Sequence, residues 1–399
     1  MSWACSRFAV ELVMRVLTGL DHLIADGTAQ LKGKRVGLAT HTAAVTGDLT
    51  DGVTALMRRG VTLMALFGPE HGFSGTVADG QQVHDAVYRD TQLPIYSLYG
   101  ATQEPMPEML ADVDVLVFDM QDVGVRFYTY ISTLFCVLKG AAKVGMPVVV
   151  LDRPNPINGV VREGPMLARG FESFVGMLPI PLRYGLTIGE LARYINDTQD
   201  VRADLVVIPM PGWQRGMWFD ETGLAWVPTS PAMPHVSTTV VYPGTCFLEG
   251  TNVSEGRGTA LPFEVCGAPW IDGEALAAYL NALALPGVRF RPTQFVPTTS
   301  KFGGEVCGGV QLHVIDRATF RPVTAGLHLL AALKALYPAD FAWLSQSWEG
   351  THPHIDLLAG TDQVRRALDA GADVTELAGG WEDAVAEFAQ VSRQYWLYT

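Results

Sequence analysis

Residues 114–130 read DVLVFDMQDVGVRFYTY. The stretch opens as an unbroken run of branched and aromatic apolar side chains. It closes on Asp119, Gln121, Asp122, Arg126, Tyr128 and Tyr130. A continuous apolar run is what a strand covered on both faces requires, whereas a half-exposed strand alternates. Five more segments share this character: KRVGLAT (34–40), VTLMALF (61–67), PIYSL (94–98), PVVVLDR (147–153) and ADLVVIPM (203–210). Helical patterns separate them at 50–60, 107–113, 130–145 and 187–197, the last with Thr187 and Glu190 at capping-box spacing. Strands alternating with helices predict an α/β fold built on a parallel, doubly wound sheet.

The second half reads differently. Residues 211–262 are rich in Pro, Gly and Trp and carry little periodicity. A helix over about 272–284 follows, then a strand pair, GVRFRPTQFVP (287–297) with GGVQLHVID (308–316). Helical patterns at 324–338, 362–371 and 381–396 complete a smaller α+β domain. The expected division is 15–220 for the first domain and 221–399 for the second, since 399 residues exceed one ordinary core.

Composition narrows the partners. The chain is 48% hydrophobic, 17% charged and has a net charge of −13, which argues against nucleic acid and anionic membrane surfaces. An anionic small molecule remains compatible, because it needs only a few local arginines. The five cysteines are odd in number and lack CxxC spacing, so neither a disulfide framework nor a zinc site is expected. Arg7, Glu11 and Arg15 interrupt the apolar N-terminus, which reads as an extension plus a first helix rather than a secretory leader. The expected location is cytoplasmic.

In a parallel α/β sheet, ligands bind outside the carboxyl ends of the strands. Four of the six strands deliver polar groups there: Thr40 and His41, Glu70 and His71, Asp119 with Asp122, and Asp152 with Arg153. In GPEHG (68–72), glycines on either side permit a tight turn that fixes the Glu-His pair. LDRPNPINGVVREGP (151–165) is a shaped loop with Arg153, Asn155, Asn158 and Glu163. EGTNVSEGRGTALPFE (249–264) brings Glu249, Asn252, Ser254, Glu255 and Arg257 without apolar periodicity, as a second domain's share of a cleft would. Each also has a plainer reading: a carboxylate at a helix N-terminus for Glu70, an Asp–Arg structural pair, a turn, a salt-bridged loop. No GxGxxG, Walker A or GxSxG motif is present, which leaves a nicotinamide enzyme poorly supported. HPHID (352–356) offers His352, His354 and Asp356, but no second cluster completes a metal site, and the segment reads as a loop.

Taken in order, ALFGPEHGFSG, LPIYSLYG, DVLVFDMQDVGVRFYTY, VVLDRPNPINGVVREGP, SFVGMLPIPLRYGLTIGELA, EGTNVSEGRGTALPFEVCGAPWID and GVRFRPTQFVPTTSKFGGEVCGGVQLHV resemble the exo-β-N-acetylmuramidases of the NamZ type, long catalogued only as a domain of unknown function. The resemblance implies a Rossmann-like domain, a smaller domain and a cleft between them. It also implies a glycoside hydrolase that removes N-acetylmuramic acid from the non-reducing end of peptidoglycan fragments during wall turnover and recycling. Two departures bear on specificity: His41 where relatives carry Asn, and TSPA ending in Ala232 where they carry PSPN.

Glycoside hydrolysis asks for an acid to protonate the leaving oxygen and a second carboxylate as nucleophile or base. Glu70 is the expected acid. Glu163 and Asp122 are equal candidates for its partner, and attack by the substrate's own N-acetyl group is a third route. The lactyl carboxylate of muramic acid asks for an arginine, with Arg153, Arg126 and Arg257 as candidates. The expected substrate-binding set adds His71, Asp119, Tyr128, Asn155, Asn252, Ser254 and Glu255. No metal or cofactor is expected. The alternatives are a non-catalytic wall-binding module and a hydrolase of another acidic sugar or amide.

Overall fold

A computed structural model describes residues 15–78, 80–89, 91–347, 350 and 352–399. The extension read from residues 1–14 lies outside the described residues.

The six apolar runs become strands of one sheet. In chain order the strands of the first half are β1 (Arg35–Thr40), β2 (Thr62–Gly68), β3 (Ala86–Val87), β4 (Pro94–Ser97), β5 (Val115–Asp119), β6 (Val148–Leu151), β7 (Glu163–Met166), β8 (Pro181–Arg183) and β9 (Leu205–Ile208), the six runs being β1, β2, β4, β5, β6 and β9. The sheet order is β3-β4-β2-β1-β5-β6-β9. All neighbours pair in parallel except the short edge strand β3, which runs antiparallel to β4. The chain builds outward from β1 to one side through β2 and β4, then returns to β5 on the other. That reversal between β1 and β5 is a switch point, where the ends of adjacent strands diverge and leave a crevice. Thr40 of β1 sits opposite Asp119 of β5 at this point.

The hairpin β7–β8 stands apart from the large sheet, and its first strand falls in what the sequence suggested was only a loop. The second half holds a three-stranded antiparallel sheet of β10 (Val265–Ala268), β11 (Val288–Phe295) and β12 (Cys307–Val314), in the order β10-β12-β11. The predicted pair β11–β12 is present, and β10 adds the strand that was not foreseen. Helices Gly273–Ala282 and Pro322–Leu336 accompany this sheet, close to their predicted positions.

A helix at Val236–Thr245 was hidden in the Pro- and Gly-rich region. It crosses Pro322–Leu336 at glycine: a Cβ on Gly244 would lie 1.9 Å from the Pro322 carbonyl oxygen, and one on Gly326 2.4 Å from that of Gly244. Only glycine allows backbones this close. The crossing fixes the direction of the chain that follows, Cys246–Gly250, which enters the site.

The two halves share one apolar core. The ring of Phe127 meets Tyr242 at 5.2 Å and Phe247 at 6.4 Å, both from the second half. The largest buried cluster runs from Ala39 through Phe118 to Tyr395. A contact of this kind is hydrophobic and continuous, so groups lining it are held by packing on both sides.

Candidate active site

Strand β2 ends at Gly68, and a turn rather than a helix follows. His71 and Gly72 take left-handed backbone angles, φ 68° and 74°. Gly68 does not; its role is a close approach, since a Cβ there would lie 2.9 Å from the Phe73 nitrogen. The turn presents Glu70, buried at 7% exposure, into a small cavity. Its Oε1 accepts the Gly80 N–H at 3.1 Å and its Oε2 accepts the Thr129 hydroxyl at 2.7 Å. Thr129 stands at the N-cap of helix Tyr130–Lys143, yet its side chain does not cap that helix. The hydroxyl that would ordinarily satisfy a free helix N–H goes to Glu70 instead. His71 lies beside it, and its Nδ1 donates to the Val77 carbonyl at 2.8 Å, which leaves Nε2 as the remaining polar atom of the ring.

The second half supplies the opposite wall: Tyr242, Cys246, Glu249, Arg257 and Phe263. Glu249 follows an apolar run, CFL, and is carried inward by the turn after helix Val236–Thr245. Arg257 binds its Oε1 at 2.5 Å, and His354 lies 3.8 Å from its Oε2. Burial alone would raise the Glu249 pKa; the Arg257 charge and the His354 hydrogen bond outweigh it and hold the group well below the usual carboxylate range. Arg257 also pairs with Glu255 at 3.4 Å and lies over the Phe263 ring at 4.9 Å. Glu255 is bound in turn by Lys301 at 3.0 Å. The cavity therefore holds two carboxylates in unlike settings. Glu70 takes its hydrogen bonds from an amide and a hydroxyl, Glu249 from a cation.

Phe127, Tyr128, Ser230, Ala232 and Met233 add to the lining. The hydroxyls of Tyr128 and Tyr130 bind Thr229 side chain and carbonyl, each at 2.6 Å, so they anchor the TSPA segment. Burial pushes the pKa of both phenols above their ordinary value. His41 packs edge-on against Tyr130 at 4.9 Å, and its Nε2 accepts the Gln121 N–H at 3.1 Å. Burial, with Arg153 and His71 nearby, lowers its pKa to about 3.

Residues 36–237 match the family model for "Exo-beta-N-acetylmuramidase NamZ, N-terminal", and residues 240–398 match its C-terminal counterpart. The chain belongs to the NamZ family. It is 46% identical over 385 residues to the peptidoglycan beta-N-acetylmuramidase NamZ of Bacillus subtilis (strain 168), covering 96% of this chain and 92% of that one. Two crystal structures of DUF1343 family proteins from Bacteroides fragilis NCTC 9343 share the fold. One is 37% identical with a TM-score of 0.86, the other 28% identical with a TM-score of 0.76; each comparison covers 96% of this chain and 99% of the other. The Rossmann-like α/β sheet with a smaller second domain, implied by the motifs, is thus a property of the NamZ fold as well as of this chain.

Within this NamZ chain, several residues singled out in the sequence lie outside the lining of the Glu70 cavity. Asp119 and Arg153 form a buried ion pair, 2.5 and 3.0 Å, at the switch point, and Arg153 also binds the Val45 carbonyl. Arg126 is fully buried and donates to the carbonyls of Pro165, Ile180, Leu358 and Ala359. Glu163 accepts the Thr324 N–H at 2.8 Å and its hydroxyl at 2.9 Å, at the start of helix Pro322–Leu336. Asn155 donates to Leu186 and accepts from Ile157, and Asn252 clasps residues 340 and 342. Ser254 turns its hydroxyl to the Gly256 N–H. Asp122 is buried, bound by the Tyr184 hydroxyl and, at 2.6 Å, by the Gly124 N–H. Burial raises its pKa to about 6, against the pull of those hydrogen bonds, and its Oδ1 has no hydrogen-bond partner among the described residues.

Of the expected set, then, Glu70, His71, Tyr128 and Arg257 meet at the cavity. Glu255 does not line the cavity but touches it through Arg257. Glu249 was named only as one polar residue of its segment; its place directly after an apolar run was the available signal. The HPHID residues diverge. His352 stacks on Phe171 at 4.8 Å, His354 meets Ser347 and Glu249, and Asp356 binds Arg365 at 2.7 Å. From His354 the segment is a helix, His354–Ala359, and not the expected loop. Among the described residues, no helix is long and apolar enough to cross a membrane.

Proposed function

We propose that this chain is a glycoside hydrolase that releases N-acetylmuramic acid from the non-reducing end of peptidoglycan-derived saccharides; the Bacillus subtilis relative is named a peptidoglycan beta-N-acetylmuramidase, and both family models are named for an exo-beta-N-acetylmuramidase. The observation that carries the reading is that Glu70 and Glu249 line one cavity, from different halves, in a chain matched by both NamZ family models.

The roles follow from the surroundings. Glu70 is the general acid that protonates the leaving oxygen. Glu249, kept ionised by Arg257, faces the positive charge that develops at the anomeric carbon in an oxocarbenium-like transition state. Two carboxylates serve as acid and anion when their environments differ in this way. Phe127, Tyr128, Tyr242 and Phe263 supply the flat apolar faces that a sugar ring packs on. Of the three arginines considered for the lactyl carboxylate, Arg257 is the one at the cavity. Its planar fork suits a carboxylate even while it serves Glu249. At about 40 Å³ the cavity has room for water but not for a sugar ring. Entry requires lining side chains to move, and Met233, unbranched and flexible, is the one best able to swing aside.

The test is incubation of the purified protein with a disaccharide of N-acetylmuramic acid β-linked to N-acetylglucosamine, followed by mass spectrometry of the products. Free N-acetylmuramic acid is the expected product. An intact disaccharide, bound or unbound, would leave the wall-binding alternative standing.

A further inference from the structure

A second, larger hollow of about 700 Å³ opens beside the Glu70 cavity, and none of the chemistry above uses it. Its walls include Tyr99, Glu104, Phe135, Lys139 and Phe174. Three features join it to the site. Gly80, whose N–H binds Glu70, also lines the hollow. Phe174 lines the hollow while its chain neighbour Val175 lines the cavity. Helix Tyr130–Lys143 starts at Thr129, which holds Glu70, and carries Phe135 and Lys139 into the hollow. At a rise of about 1.5 Å per residue, Phe135 and Lys139 lie about 9 and 15 Å along the axis from Thr129. That is the reach of a short saccharide extending from a bond at Glu70.

We infer that this hollow binds the leaving part of the substrate, the N-acetylglucosamine-containing saccharide on the far side of the scissile bond. The inference rests on the glycosidase reading above and extends it. The wall chemistry favours a neutral ring with one apolar face. Aromatic rings are grouped there, Tyr99 and Phe174 at 5.3 Å, with Phe135 carrying Lys139 at 5.2 Å. The charged groups already have partners: Lys139 binds Glu104 at 2.8 Å, Lys143 binds the same carboxylate, and Glu172 accepts the Gly170 N–H at 2.7 Å. A stem peptide, with its carboxylates and amine, would call for unmatched charges. An enclosed cavity that must open to admit one residue, beside a hollow that is already open, is also the shape that an enzyme acting at a chain end needs.

The experiment compares two substrates in Phe135→Ala and in the unaltered enzyme. One is the muramyl-glucosamine disaccharide, and the other is N-acetylmuramyl β-fluoride, whose leaving group fills no hollow. The variant is expected to lose at least tenfold more kcat/KM on the disaccharide than on the fluoride, chiefly through KM. Methyl β-N-acetylglucosaminide should also inhibit fluoride turnover by the unaltered enzyme, a measurement that does not depend on the variant folding. Equal losses on both substrates, or inhibition by a stem peptide and not by the glucosaminide, would overturn the assignment. If the unaltered enzyme released N-acetylmuramic acid from neither substrate, the glycosidase reading itself would fail instead.

Discussion

Glu70 and Glu249 line one buried cavity although they stand on different halves of the chain. Glu70 is placed by the turn after β2, Glu249 by the segment after helix Val236–Thr245. The aromatic contacts of Phe127 with Tyr242 and Phe247 hold the two supports together. The site is therefore a product of the shared core and not of either half alone.

Arg257 sets the charge of Glu249. Replacing it with Gln removes the cation while burial remains, so the Glu249 pKa must climb. On the proposal that Glu249 acts as an anion, the acidic limb of the kcat–pH profile should move to higher pH by at least about one unit. A pH profile of Arg257→Gln measures this directly. An unmoved limb would remove Glu249 from the mechanism.

Asp122 makes a prediction about stability. Its folded pKa, about 6, lies above the usual value of 3.8, so the native state holds a proton that the unfolded state releases in between. The sign follows: this contribution is complete below pH 3.8 and is lost as pH rises through about 6. Asn copies the protonated acid and cannot ionise. Asp122→Asn should thus gain on the parent as pH rises from 4 to 6, by at most about 3 kcal/mol. Melting temperatures of both proteins across that range give the result. His41, lowered to about 3, runs the opposite way and weakens the fold as pH falls below its ordinary value of 6.5, but it is common to both proteins and cancels.

Arg126 tests the structural assignment. Its guanidinium satisfies four carbonyls, two of them, Leu358 and Ala359, at the C-terminal end of helix His354–Ala359. Arg126→Ala leaves those oxygens without donors and opens a cavity, a combination that costs on the order of 3–5 kcal/mol. A large drop in melting temperature, with kcat/KM per folded molecule retained at low temperature, is the expected outcome. Retained stability with lost activity would place Arg126 in substrate binding instead.

The strands were legible because burial on both faces writes itself as continuous apolar sequence, as in VLVF of β5. The position of Glu70 at a cavity was legible because ligand sites lie outside strand ends in such a sheet, although Asp119, at the end of β5, shows that a carboxylate there can equally serve an ion pair. Arg126, Arg153 and Glu163 looked alike as sequence, each a charge in a polar loop or strand end. Their partners are 34 to 233 residues away, and no local pattern records them. The helix Val236–Thr245 was masked by Pro243 and Gly244, which the glycine crossing explains but periodicity cannot reveal. Strand β10, VCGA, is too short and too small-sided to stand out, since its glycine serves the close packing of β12.

Glu70 as general acid is the claim on which the rest depends, and Glu70→Gln assayed on two leaving groups tests it most directly. On the muramyl-glucosamine disaccharide, whose alkoxide leaves poorly without a proton, kcat should fall by about a hundredfold to ten-thousandfold. On N-acetylmuramyl β-fluoride, which departs with little need of an acid, the loss should be far smaller. Equal losses on both substrates, or undiminished cleavage of the disaccharide, would contradict the account.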